Sequence, residues 1–110
     1  MSKSPTALGV DIGGSSTKMG VITKDGEILC QAIQPTPPEL PADAHMRAIL
    51  EKLTGLVDWA KKNDYSLQGI GVSVCGYLTP SGEEPDYINL HSLDHYPVAR
   101  HLRDALDFLL

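Results

Sequence analysis

Cysteine is nearly absent from the sequence: Cys30 and Cys75 are the only two in 110 residues. Two thiols exclude a disulfide framework and a cysteine-rich zinc module. Both stand in apolar surroundings and read as reduced thiols of a cytosolic protein, so a cytoplasmic location is expected. Basic charge is also scarce, with 9 Lys and Arg against 14 Asp and Glu and a formal net charge of -5. That balance leaves no electrostatic footprint for nucleic acid. No stretch approaches the roughly 18 apolar residues that cross a bilayer. The first five residues carry no apolar signal region. Neither nucleic acid nor membrane is therefore an expected partner. No internal repeat is visible. What is present is an ordinary globular balance, 42% apolar and 21% charged. A chain of this length buries roughly 65% of its unfolded surface, enough for one core. One small domain leaves little room for an enzyme whose two lobes close on a substrate.

Residues 1–5 read as a flexible tail. Residues 6–12 form a short apolar run (Ala7, Leu8, Val10, Ile12) that predicts a buried strand. A Gly-Gly-Ser-Ser turn follows, then a strand over 17–23 with Met19 and Val21 on one side and Lys18, Gly20 and Ile22 on the other. Asp25-Gly26 predicts a two-residue hairpin into a third strand over 27–34. The proline-rich stretch 34–41 (QPTPPELP) predicts an extended loop, since proline cannot donate to a sheet ladder. Residues 42–63 carry Met46, Ile49, Leu50, Leu53, Leu56, Val57 and Ala60 at spacings of three and four, the stripe of an amphipathic helix. Asp43 is the expected N-cap. Residues 68–74 (QGIGVSV) return to a strand pattern, 77–86 read as a loop, and 97–109 as a second helix opening on Pro97. The order β-β-β-α-β-α implies an α/β fold: a mixed sheet with helices packed on it. His45 and His101 are expected on exposed helix surface, and Trp59 at a helix edge. His91, Asp94 and His95 are close in sequence, but a loop beside a polar substrate carries such residues without holding a metal.

The stretch with chemistry in it is Val10-Asp11-Ile12-Gly13-Gly14-Ser15-Ser16-Thr17-Lys18. An acidic residue ends a buried strand, glycines make the turn, and hydroxyls and a lysine follow. Glycines let backbone N–H groups approach an anion, and successive N–H groups form an anion-binding concavity. Asp11 repels a phosphate unless a cation intervenes, and magnesium held through water resolves that conflict. The set suits a nucleotide polyphosphate with its Mg2+. Gly-Gly-Ser-Ser is equally an ordinary hairpin turn with Asp11 capping it, and the residues alone leave both readings open. The spacing is not the G-x-x-x-x-G-K of a P-loop. A strand and not a helix follows the glycines, which removes the dinucleotide-binding fingerprint as well.

The run LGVDIGGSSTKMGVI, continued by DGEIL, resembles the first phosphate-binding hairpin of the actin/Hsp70/sugar-kinase superfamily. Within it the pattern is most similar to the ROK family (repressor, open reading frame, kinase). Pro35-Thr36-Pro37 after the third strand, the long amphipathic helix, the strand Gly69-Ile70-Gly71-Val72-Ser73-Val74-Cys75-Gly76, the pair Asn89-Leu90 and the helix at Pro97 follow in the family's order. The resemblance spans residues 6–110 and implies the ribonuclease-H-like N-terminal lobe of a ROK-type kinase. It implies an ATP-dependent transfer of the γ-phosphate to a hexose or N-acetylhexosamine hydroxyl, with ATP and Mg2+ as cofactors and a sugar as substrate. It places Gly13, Gly14, Ser15 and Ser16 along the phosphates, Asp11 towards Mg2+ through water, Lys18 against phosphate charge, and Gly76 and Asn89 near the sugar.

The departures are specific. Cys75-Gly76 stands where the family usually has Pro-Gly, and His91-Ser92-Leu93 where proline and an aromatic usually follow Asn-Leu. The family's general base, an aspartate in an Asn-Asp-Ala-Asn type motif, is expected beyond residue 110, as are the second lobe and a histidine–cysteine zinc motif. The chain alone is therefore expected not to phosphorylate sugar. A sugar-sensing regulator of the same family and an ATPase lobe of another superfamily member are the alternatives. A lobe without its partner exposes a sheet edge, which favours a homo-oligomer.

Overall fold

The computed structural model describes residues 4–13, 16–35, 40–74, 76–78, 85–87 and 98–109. Three strands come first: β1 (Ser4–Ile12), β2 (Ser16–Thr23) and β3 (Ile28–Pro35). Helix α1 (Ala42–Lys62) crosses to β4 (Tyr65–Val74), and β5 (Gly76–Leu78), β6 (Pro85–Tyr87) and α2 (Val98–Leu109) follow. The main sheet runs β3-β2-β1-β4, and β5 and β6 form a separate two-stranded ribbon. β1 and β2 pair antiparallel, as do β2 and β3, whereas β1 and β4 run parallel. A parallel neighbour needs a crossover, and α1 supplies it.

The core lies on one face of this sheet. Leu8, Val10 and Ile12 of β1 and Met19 and Val21 of β2 meet Met46, Ile49, Leu53, Leu56, Val57 and Ala60 of α1, and Leu102 of α2 joins them. Each fully buried aliphatic side chain of this kind contributes about 1.5–3 kcal/mol. Trp59 is half-buried and stacks on Tyr65, with ring centroids 5.6 Å apart and planes 10° from parallel. That pair ties the end of α1 to the start of β4.

Six expectations are corrected here. Ser4 and Pro5, expected in a flexible tail, belong to β1 and pair with Tyr65 and Ser66 of β4. Asp43 is not the N-cap: Pro41 occupies that position, no side chain caps it, and Asp43 stands in the first turn, where its charge suits the helix dipole. His45 is buried, because it lies four residues before Ile49 on the same stripe that buries Met46. The β2–β3 turn is longer than two residues: Gly26 N–H donates to Thr23 O at 3.0 Å and Thr23 N–H to Glu27 O at 2.9 Å, with Gly26 at φ 90°. This is a three-residue loop whose last position needs the left-handed region, which glycine takes freely. β4 starts at Tyr65, ahead of the expected residue 68. Residues 77–86, read as loop, contain parts of the β5–β6 pair, in which Gly76 faces Tyr87 and Leu78 faces Pro85.

Two bulges shape the sheet. Leu29 is the extra residue between the pairs Val21–Cys30 and Ile22–Ile28. A single extra residue reverses the side-chain alternation. Leu29 and Cys30 therefore both pack against the core, and Ile28 moves to the opposite face with Gln31 and Ile33. A second irregularity, between the pairs Thr6–Leu67 and Leu8–Ile70, puts the extra residue in β4 and sets Gly71 and Ser73 on the face away from α1. At the α1–β4 junction Asn63 closes the helix, and Asp64 takes φ 62°, a left-handed position that Asp tolerates better than most residues.

Candidate functional site

The sheet face opposite the core carries the candidate site. Strand alternation puts Gly9 and Asp11 of β1 on this face, with Lys18 and Gly20 of β2 and Gly71 and Ser73 of β4. Register then aligns them in two rows. Asp11 stands opposite Lys18 on one side and Ser73 on the other. One step along, Gly9 stands opposite Gly20 and Gly71, and the side chains of Ile22 and Ile28 lie over Gly9 and Gly20. The six residues of the two rows contribute to the walls of a depression of about 470 Å3. It adjoins a second depression of about 410 Å3, with Gly9, Ile22 and Gly71 lining both.

The polar row lies near the carboxyl ends of β1 and β4, the end of an open α/β sheet at which ligands bind. Asp11 is exposed, and its carboxylate Oδ1 accepts a hydrogen bond from Ser73 Oγ at 2.6 Å. Beyond Ile12 the chain turns sharply. Gly13 N–H donates to Ser16 O at 2.9 Å, which closes the β1–β2 hairpin. A Cβ at Gly13 would stand 2.9 Å from that same carbonyl oxygen, so the turn requires a residue without one. Its amide is thus directed into the turn.

The expected residues fall out as follows. Asp11, Gly13, Ser16 and Lys18 gather at one end of the hairpin: Lys18 is exposed opposite Asp11, and Ser16 opens β2 half-buried. Gly76 opens β5, two residues after Val74, which pairs with Ile12, so it follows from the same end of the sheet. Gly14, Ser15 and Asn89 lie outside the described residues, as do Cys75, His91, Asp94 and His95. Ser73 was missed. Its alternation with Val72 hints at an outward direction, but its partner is 62 residues away in sequence. Among the described residues no group of three or more His, Cys, Asp or Glu is placed to hold a metal by side chains alone. No described helix is long and apolar enough to cross a membrane.

The ROK family profile matches residues 7–108 of this sequence. The chain belongs to the ROK family. An N-acetylmannosamine kinase of Vibrio cholerae serotype O1 is 33% identical over 102 residues, which is 93% of this chain and 32% of the relative. The ROK chain thus spans about a third of the length of the curated relative it matches. Among solved structures, a ROK family glucokinase from Streptomyces griseus, in complex with glucose and AMPPNP, superposes with a TM-score of 0.70 at 22% identity, covering 93% of this chain and 30% of that one. A ROK family transcriptional regulator, homologous to the E. coli MLC protein, superposes with a TM-score of 0.78 at 10% identity, covering 94% and 26%. At those identities the two structures establish the fold, that of ROK sugar kinases and the actin-like ATPases, and nothing finer. ROK membership removes the alternative of an ATPase lobe from another branch of the superfamily.

Proposed function

We propose that this chain is the phosphate-binding N-terminal lobe of an ATP-dependent sugar kinase that moves the γ-phosphate to a hydroxyl of a hexose or N-acetylhexosamine. One observation carries the reading: an exposed carboxylate, Asp11, ends β1 beside a glycine-dependent turn, in a ROK chain similar to an N-acetylmannosamine kinase. Phosphoryl transfer needs little covalent help from protein and depends on positioning and charge neutralisation. The residues present fit a magnesium nucleotide on that basis. An exposed carboxylate suits a cation that keeps most of its water, and Lys18, exposed opposite Asp11, supplies a positive charge for a phosphate.

Bound Mg2+-ATP supplies the phosphoryl group and neutralises the charge that builds as it departs. In this reading Asp11 accepts from the cation's waters. Gly13, Gly14, Ser15 and Ser16 line the phosphates, and Lys18 offsets their charge. Gly76 and Asn89 contact the sugar. The general base belongs to sequence beyond residue 110, so the chain by itself does not turn over. The lobe works as a cytoplasmic protein without nucleic-acid or membrane partners. A second reading is a sugar-sensing regulator, since the ROK family holds transcriptional regulators as well as kinases.

The test is ADP release from Mg-ATP across hexoses and N-acetylhexosamines. It is run on this chain and on its reading frame extended to the length of the kinase relative. Sugar-dependent turnover in the longer protein alone is the expected result and names the sugar. Turnover by the 110-residue chain overturns the placement of the base. Sugar binding without turnover in the longer protein decides for the sensor.

A further inference from the structure

On the open face a polar contact joins β1 to β4: Ser73 Oγ donates to Asp11 Oδ1 at 2.6 Å. That is the short range expected when a hydroxyl donates to a charged oxygen. Both residues are exposed, so water could have served each of them. Burial does not force the bond; parallel register does, by setting Asp11 opposite Ser73. On its other side Asp11 faces Lys18 across the antiparallel β1–β2 pair. Directly opposed opposite charges attract. The Ser73 bond draws the carboxylate to the β4 side, away from the lysine.

We propose that Ser73 is a positioning residue for the Asp11 carboxylate, holding it for a hydrated divalent cation that arrives with a polyphosphate. The inference rests on the reading of Asp11 given above. An ionised carboxylate has about four acceptor positions. Ser73 takes one, fixes the group, and leaves the others for the cation's waters. Without the hydroxyl the carboxylate is free to swing to Lys18, which removes an acceptor from the cation and a positive charge from the phosphates together. Partners that orient a metal-binding group typically account for about 10–100-fold in metal affinity. The lower end applies here, because water competes at an exposed site.

The test measures ADP binding to the 110-residue chain by calorimetry, with Mg2+ titrated and with Mg2+ removed by EDTA. The variants are S73A, S73V and S73T. Wild type and S73T, which keep a hydroxyl, should share one Mg2+ requirement. S73A and S73V should need about tenfold more Mg2+ for half-maximal binding, while ADP affinity in EDTA stays within twofold of wild type. S73V matches S73T in shape, so it isolates the hydroxyl if S73A does not fold. An unchanged Mg2+ requirement in both S73A and S73V overturns the inference. An equal loss with and without Mg2+ also overturns it, as does failure of S73T to restore binding. Failure of the wild-type chain to bind ADP with Mg2+ is a different result: it overturns the reading of Asp11 itself, and the role of Ser73 falls with it.

Discussion

Gly13 is where the hairpin's local geometry can be read most directly, and Gly13→Ala is the perturbation that reads it. The added methyl would stand 2.9 Å from the carbonyl oxygen of Ser16, a backbone atom that cannot rotate away. Ordinary contact would need about half an ångström more. Forcing a methyl into closed space costs about 1–3 kcal/mol. If the turn opens to admit it, the Gly13–Ser16 hydrogen bond is lost as well, at about 0.5–1.5 kcal/mol. A total of about 3 kcal/mol is expected. With a urea dependence of about 1.5 kcal/mol per molar, the unfolding midpoint should fall by about 2 M. Gly71→Ala is the control on the same sheet. A Cβ there meets nothing within 4 Å. Alanine in a strand interior costs less than glycine by about 0.5–1 kcal/mol, so Gly71→Ala should raise the midpoint. Urea denaturation followed by circular dichroism measures both. If the two variants shift the midpoint in the same direction and by the same amount, the steric argument for the turn is wrong.

Two further predictions concern the junction and the edge. Asp64→Val should cost about 1–2 kcal/mol, because a β-branched residue resists the left-handed φ of 62°, while Asp64→Gly should be close to neutral. Equal stability of the two in thermal melts would remove the backbone argument. Ile28 and Ile33, 54% and 55% exposed on the open side of edge strand β3, should promote a homo-oligomer. Ile33→Lys should then shift sedimentation towards monomer, and a wild-type chain that stays monomeric across concentrations refutes the expectation.

Much of this fold was legible in the order of residues. The stripe of α1 appeared because a helix repeats every 3.6 residues, and the three first strands because apolar residues alternate between turn signals. The same periodicity also held the answer for His45, four residues before Ile49, which residue type alone assigned to the surface. Asp43 failed as a cap for a different reason. Capping depends on where the chain enters the helix, and Pro41 sets that entry. The short β5–β6 pair escaped because three-residue strands carry too few positions to show a period.

The family, the glycine turn after Asp11 and the helical crossover can be read along the chain, because each is a local pattern that a few neighbouring residues enforce. Which strands lie side by side on the open face, and in what register, comes only with the folded sheet. The bulge at Leu29 reverses the alternation of β3 and turns Ile28 outwards. The parallel pairing of β1 with β4 aligns Gly9 with Gly71 and brings Ser73 to Asp11. Register between strands 62 residues apart is fixed by how α1 packs its apolar face on the sheet. That packing is a property of the whole core, and no short stretch of the chain encodes it.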